Sequence, residues 1–178
     1  AYAANNIVVD PVMVATSGDR LISADAVEAL CKELLPRAAI ITPNIPEAEI
    51  IIEREITDAA AMEQAAAMIY ERFRVAVLMK GGHHVDDAND LLVDGKGARW
   101  FHGRRIATEN THGTGCTLSS AIASNLAQGM DIDTAVARAK EYLSGALAAG
   151  LNLGKGHGPM AHTFDLRSTF ISQQREHL

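Results

Sequence analysis

The sequence predicts an α/β fold with a mostly parallel central sheet flanked by helices. Three observations carry this. Short apolar runs alternate with longer segments of helical spacing, the pattern of strand–helix–strand crossover units. Asp10, the 42–47 turn and Lys80 each follow directly on an apolar run, which puts them on one sheet edge. The 178 residues, 48% apolar and 21% charged, suit a single domain spanning 1–178, given roughly 100–200 residues per domain.

The first run, residues 7–10, is Ile-Val-Val-Asp and ends in a carboxylate. It begins almost at residue 1, so its sheet partners are expected upstream of this chain. Residues 14–19 form a loop by composition. Ser23 reads as an N-cap, with Ala26, Val27, Leu30, Leu34 and Leu35 on one face and Pro36 as the stop. A second apolar run covers 38–42 and is closed by Pro43. Pro43-Asn-Ile-Pro46 is a rigid turn, and a helix begins near Glu47, with Glu49 expected in solvent. Thr57 and Asp58 cap a helix with Met62, Ala65, Ala66, Ile69 and Phe73 on one face. A third buried strand covers 75–79, followed by Lys80-Gly81-Gly82. Residues 91–93 and 98–102 read as a hairpin about the Asp94-Gly95 turn signal. A helix runs from Thr114 to Leu126, and Asp131 or Asp133 caps a last long helix through Ala148. From Gly150 the glycines at 154, 156 and 158 with Pro159 predict a loop. No internal repeat and no linker interrupts this order.

Composition excludes several function classes. Sixteen Lys and Arg against 22 Asp and Glu leave a formal charge of −6, against a nucleic-acid binder held by phosphate contacts. No apolar run is long enough to span a membrane. The opening AYAANNIVVD lacks the basic region and cleavage pattern of a signal peptide. Two cysteines, Cys31 and Cys116, are too few for a disulfide framework, so a reducing cytoplasm is expected.

Four places can carry chemistry. Residues His112-Gly113-Thr114-Gly115-Cys116-Thr117 open a helix. The glycines let the backbone approach a ligand, and a helix start attracts anions such as phosphate. Cys116 lies in the first turn, a setting that favours a reactive thiol; a tight turn around a small buried cysteine fits as well. Asn44 and Glu47 stand three apart on a constrained turn. Such a pair can organise water around Mg²⁺, which keeps several waters and takes few carboxylates; a capping box is the other reading. Asp10 ends a buried strand, where a carboxylate is costly unless paired, liganded or at the sheet edge. Lys80, before two glycines that leave room for a ligand, can reach nucleotide phosphates or simply be solvated. His83 and His84 are expected to form a surface pair, since adjacent side chains point apart on a strand. Cys31 and the Met62–Ile69 stripe read as core. Trp100 and Phe101 fit either a lid or packing.

Four segments in this order carry a resemblance: Asp10-Pro-Val-Met-Val-Ala-Thr-Ser-Gly-Asp19, Thr42-Pro-Asn-Ile-Pro-Glu-Ala-Glu49, Leu78-Met-Lys-Gly-Gly-His83 and Thr111-His-Gly-Thr-Gly-Cys-Thr-Leu-Ser119. Together they closely resemble the hydroxymethylpyrimidine/phosphomethylpyrimidine kinases of thiamin biosynthesis, in the ribokinase-like superfamily. The likeness runs from about Ile7 to Gly158-Pro159. It implies a three-layer sandwich and a cytoplasmic, ATP-dependent phosphotransferase acting on the aminopyrimidine hydroxymethyl group and then its phosphate ester. Cys116 stands where most ribokinase-like kinases carry an aspartate base. Gly113, Thr114 and Gly115 would line the anion hole. Asn44 and Glu47 match the superfamily's Asn-x-x-Glu motif for Mg²⁺ and phosphate, with Asp10 near the same metal. Lys80 and Lys140 would contact the nucleotide. The family also implies a homodimer, a small-molecule aminopyrimidine as partner, and neither nucleic acid nor membrane. Family members open with a strand and a glycine-rich segment that helps hold the pyrimidine. Nothing here corresponds to them, so about the first third of the family domain is expected to be missing. A pyridoxal kinase and an inactive nucleotide-binding fragment are the alternatives.

Overall fold

The computed structural model describes residues 4–15, 18–81, 88–151, 153 and 158–166. His83, His84, Gly82 and the glycines at 154 and 156 lie outside the described residues, as do residues 167–178.

Five strands form one sheet in the order β1 (Val8–Val9), β2 (Ile40–Ile41), β3 (Ala76–Lys80), β4 (Asp90–Asp94) and β5 (Gly97–Phe101). The first three are parallel, as crossover connections require. The last two pairings are antiparallel, so the sheet is mixed. The cause is connection length. Only Gly95 and Lys96 separate β4 from β5, a tight turn that reverses the chain and leaves no room for a crossover. The link from Lys80 to Asp90 is likewise too short for a crossover helix.

Side-chain alternation splits the core into two layers. Val9, Ile41, Val77, Met79, Leu91 and Val93 face one side. There they pack on α1 (Ala24–Ala29), α2 (Ile45–Ile52) and α3 (Ala59–Phe73). Ile40, Ala76, Leu78 and Leu92 face the other side, against α4 (Thr114–Ala127) and α5 (Ile132–Ala148). The result is the expected three layers.

Local chemistry sets the helix ends. Ser23, Asp58 and Asp131 each accept a hydrogen bond from an N–H of the first turn. The five α3 residues predicted to share a face are all buried. One expectation needs correction after α1. The chain passes through a π turn, Leu30–Leu34, and a 3₁₀ turn, Leu35–Arg37. The wider π turn rotates the apolar face by one position, so Leu35 is fully buried while Leu34 is 42% exposed. Cys31 is buried core, as expected.

Trp100 packs against the first layer and donates to Glu63 Oε1 at 2.7 Å; Phe101 packs against the second. Both are packing residues. Arg99 ties the hairpin to the start of α5 by bonding Asp94 and Asp133. No helix among the described residues is long and apolar enough to cross a membrane.

Candidate active site

The strand alternation that sorts the core also aims the strand ends. Val8, Ile40 and Leu78 pack with the α4–α5 layer. Two residues further along each strand lie Asp10, Thr42 and Lys80, which therefore point to the same side. They meet. Lys80 Nζ donates to Asp10 Oδ1 at 2.7 Å, and Thr42 Oγ1 donates to the same oxygen at 2.9 Å. The Lys80 and Asp10 side chains are only 16% and 12% exposed, which strengthens the pair relative to a surface one.

The start of α4 lies over this pair. Gly113 takes a left-handed conformation, φ +79°, which glycine adopts without strain. No side chain caps the helix, and the Thr114 N–H turns back to Thr111 O at 3.4 Å. A Cβ on Gly115 would sit 3.2 Å from Lys80 Nζ and 3.4 Å from Asp10 Oδ2. An uncapped helix start, an ammonium and a carboxylate thus occupy one small volume.

The Asn44 turn is tied to the same place. Lys80 N–H donates to Pro43 O at 2.9 Å, and Asn44 bridges to Lys80. Asn44 Oδ1 accepts from Glu47 N–H at 2.9 Å, and Glu47 Oε2 accepts from Asn44 N–H at 2.8 Å. The capping box is therefore present. Glu47 does more than cap, because it is 2% exposed. Burial pushes its carboxyl above the usual range. The N–H groups of Asn44 and Met13 and the Lys80 charge oppose the rise, and the Asp10 charge adds to it. A desolvated carboxylate beside a second one suits a divalent cation, which takes one or two carboxylates and substrate phosphates.

This has a stability consequence. A carboxyl whose folded pKa is raised contributes stability that is present in acid and lost as pH rises through the folded value. Glu47→Gln is expected to raise the thermal midpoint at about pH 7 and leave it unchanged at about pH 4. Thermal scans at both values check this; an unchanged midpoint at neutral pH contradicts it.

Cys116 is exposed on the first turn of α4. It stands at one end of a groove of about 540 Å³ between α4 and α5, lined further by Ser120, Ser124, Arg138, Tyr142 and His162. Thr114 and Gly113 lie on the turn beside it. Lys140 sits elsewhere on the edge. Its Nζ is paired with Asp90 Oδ2 and donates to Ala88 O at 2.9 Å. The structure thus gathers Asp10, Asn44, Glu47, Lys80 and Gly115, sets Cys116 beside them, and holds Lys140 at the start of β4.

Three local expectations change. Gly81 is required by its own chain, since a Cβ there would lie 2.0 Å from Asn89 O. The space is filled by backbone, not left for a ligand. Glu49 is partly buried and accepts from Ile56 N–H at 2.8 Å, so it fastens the loop after α2 rather than standing free in solvent. Thr42, given no role by sequence reasoning, holds Asp10. Its position two residues beyond Ile40 on the inward face was the signal that could have found it.

A family model described as phosphomethylpyrimidine kinase matches residues 1–161. The chain belongs to the phosphomethylpyrimidine kinase family. It is similar to the hydroxymethylpyrimidine/phosphomethylpyrimidine kinase of Rhizobium meliloti, 50% identical over 159 residues, covering 87% of this chain and 60% of that protein. Among solved structures it resembles phosphomethylpyrimidine kinase from Clostridium difficile 630, with TM-score 0.68 and 41% identity over 79% of this chain and 56% of that one. It also resembles the pyridoxal kinase from Staphylococcus aureus in complex with AMP-PCP, with TM-score 0.84 and 32% identity over 93% of this chain and 60% of that one. These neighbours bear out the ribokinase-like α/β fold. The chain spans about three fifths of the length of these family members and neighbours.

Proposed function

We propose that this chain carries the phosphate-handling part of a cytoplasmic, homodimeric kinase. The kinase transfers the γ-phosphoryl group of ATP to 4-amino-5-hydroxymethyl-2-methylpyrimidine and to its phosphate. The observation that supports this most is the approach of Gly115 to the Lys80–Asp10 pair. It brings uncapped helix amides and a cation to one point, the combination phosphoryl transfer uses to stabilise charge.

In this reading the amides from Gly113 to Gly115 receive the equatorial oxygens of the transferred group, and Thr114 holds the turn between them. Lys80 leaves Asp10 to meet the phosphates. Cys116 takes the proton as the substrate oxygen bonds to phosphorus and the bond to the ADP oxygen breaks. Asn44 and Glu47, with Asp10, would hold Mg²⁺, whose charge offsets that of the polyphosphate. Lys140 meets the nucleotide further along the edge.

Pyridoxal phosphorylation is the second reading, favoured by the likeness to the AMP-PCP-bound pyridoxal kinase. Transfer from labelled ATP to each acceptor separates the two, with the Rhizobium kinase as positive control. Transfer to the pyrimidine above transfer to pyridoxal is expected. Faster pyridoxal phosphorylation favours the second reading. Nucleotide binding with background transfer to both would leave a binding module without catalysis.

A further inference from the structure

Asp90 is buried, 7% exposed, at the first position of β4 directly across the sheet from Lys80. Its two oxygens do different work. Oδ1 accepts from the Gly81 N–H at 3.0 Å, so it fixes the backbone immediately after Lys80. Oδ2 holds the Lys140 ammonium, which also bonds Ala88 O. The backbone at Gly81 is closely faced by Asn89, whose carbonyl oxygen a Cβ there would meet at 2.0 Å. The pair is largely desolvated, at 14% and 10% side-chain exposure. Burying such a pair gives little net stability, since desolvation offsets most of the attraction and packed apolar side chains commonly do as well. Stability is therefore a weak reason for placing it here. Its location suggests another. One carboxylate couples the strand end that carries one lysine to the ammonium of a second.

We propose that Asp90 is a positioning residue for polyphosphate binding. It sets Lys80 through the Gly81 amide and Lys140 through the ion pair, so the two cations stand in register before a nucleotide arrives. Preorganised charges lose less freedom on binding than mobile lysines do. The proposal rests on the kinase reading above, and goes beyond it by assigning a residue that touches neither phosphate nor acceptor.

The test uses ATP titration calorimetry and thermal scans on this chain. Asp90→Asn keeps the side-chain shape and an oxygen for Gly81, but removes the charge that holds Lys140. It is expected to weaken ATP binding about tenfold or more, the scale of a lost charge-assisted hydrogen bond. The double variant Asp90→Asn/Lys140→Met removes the unpaired buried charge as well. Set against Lys140→Met alone, it is expected to recover the thermal midpoint while ATP affinity stays the same, because Asp90→Asn acts on the nucleotide only through Lys140; a purely structural role would let affinity rise with the midpoint. ATP affinity unchanged in Asp90→Asn overturns the proposal alone. So does a rise of ATP affinity together with the midpoint on going from Lys140→Met to the double variant. Absence of ATP binding by the unsubstituted chain overturns the kinase reading, and this proposal with it.

Discussion

Gly115→Val is expected to weaken ATP binding sharply while leaving the chain folded. The β-carbon alone would stand 3.2 Å from Lys80 Nζ and 3.4 Å from Asp10 Oδ2. Valine's two methyl groups reach further, into the space the ammonium and an incoming phosphate oxygen must share. A loss of about a hundredfold is the scale expected when an anion site loses both a donor's approach and its cation. Folding should survive, because a β-branched residue in a helix costs less than about 1 kcal/mol and the glycine's backbone is already helical. Gly115→Ala gives the graded control. Its single methyl meets the far end of a flexible lysine, which can shift, so a smaller loss is expected. Calorimetry on both variants, with a thermal scan to verify folding, checks the series. Unchanged affinity in the valine variant would show that phosphate approaches elsewhere.

Cys116→Ala is expected to act on the other half of the reaction. The thiol is exposed and contributes to no packed cluster, so its removal should leave fold and ATP affinity intact. Phosphoryl transfer should fall by roughly a hundredfold or more, the range for removing a positioned base. Cys116→Asp should retain activity, since a carboxylate at that position can accept the same proton. Single-turnover transfer in the three forms reads this directly. Equal rates in the cysteine and alanine forms would remove Cys116 from the chemistry.

Much of this edge was legible in the sequence because its determinants are local. Asp10, the Asn44 turn and Lys80 each follow an apolar run, and a strand that ends in a polar residue delivers it to the sheet edge. The Asn44–Glu47 spacing left a capping box open beside a Mg²⁺ pair, and both hydrogen bonds of the box are present. The hairpin followed from Asp94-Gly95, although its antiparallel pairing with β3 makes the sheet mixed. What was not legible depends on contacts between distant segments. Gly81 faces Asn89 O, and Lys140 meets Asp90 across 50 positions of chain. Neither partner is marked by composition or period. The fate of Leu34 turned on one π turn, which no spacing rule announces. Glu47 shows the middle case. Its cap was visible in the sequence, but its burial, and with it the raised carboxyl, came only from packing against the Asp10–Met13 loop.

The account stands on phosphate binding where α4 begins, over the Lys80–Asp10 pair. A crystal structure of the chain with the non-hydrolysable analogue AMP-PCP tests this most directly. The terminal phosphate is predicted within hydrogen-bonding reach of the Gly113–Cys116 amides, with Lys80 Nζ turned from Asp10 towards it. Phosphates bound at a distance from that turn, with the Lys80–Asp10 pair intact, would contradict it.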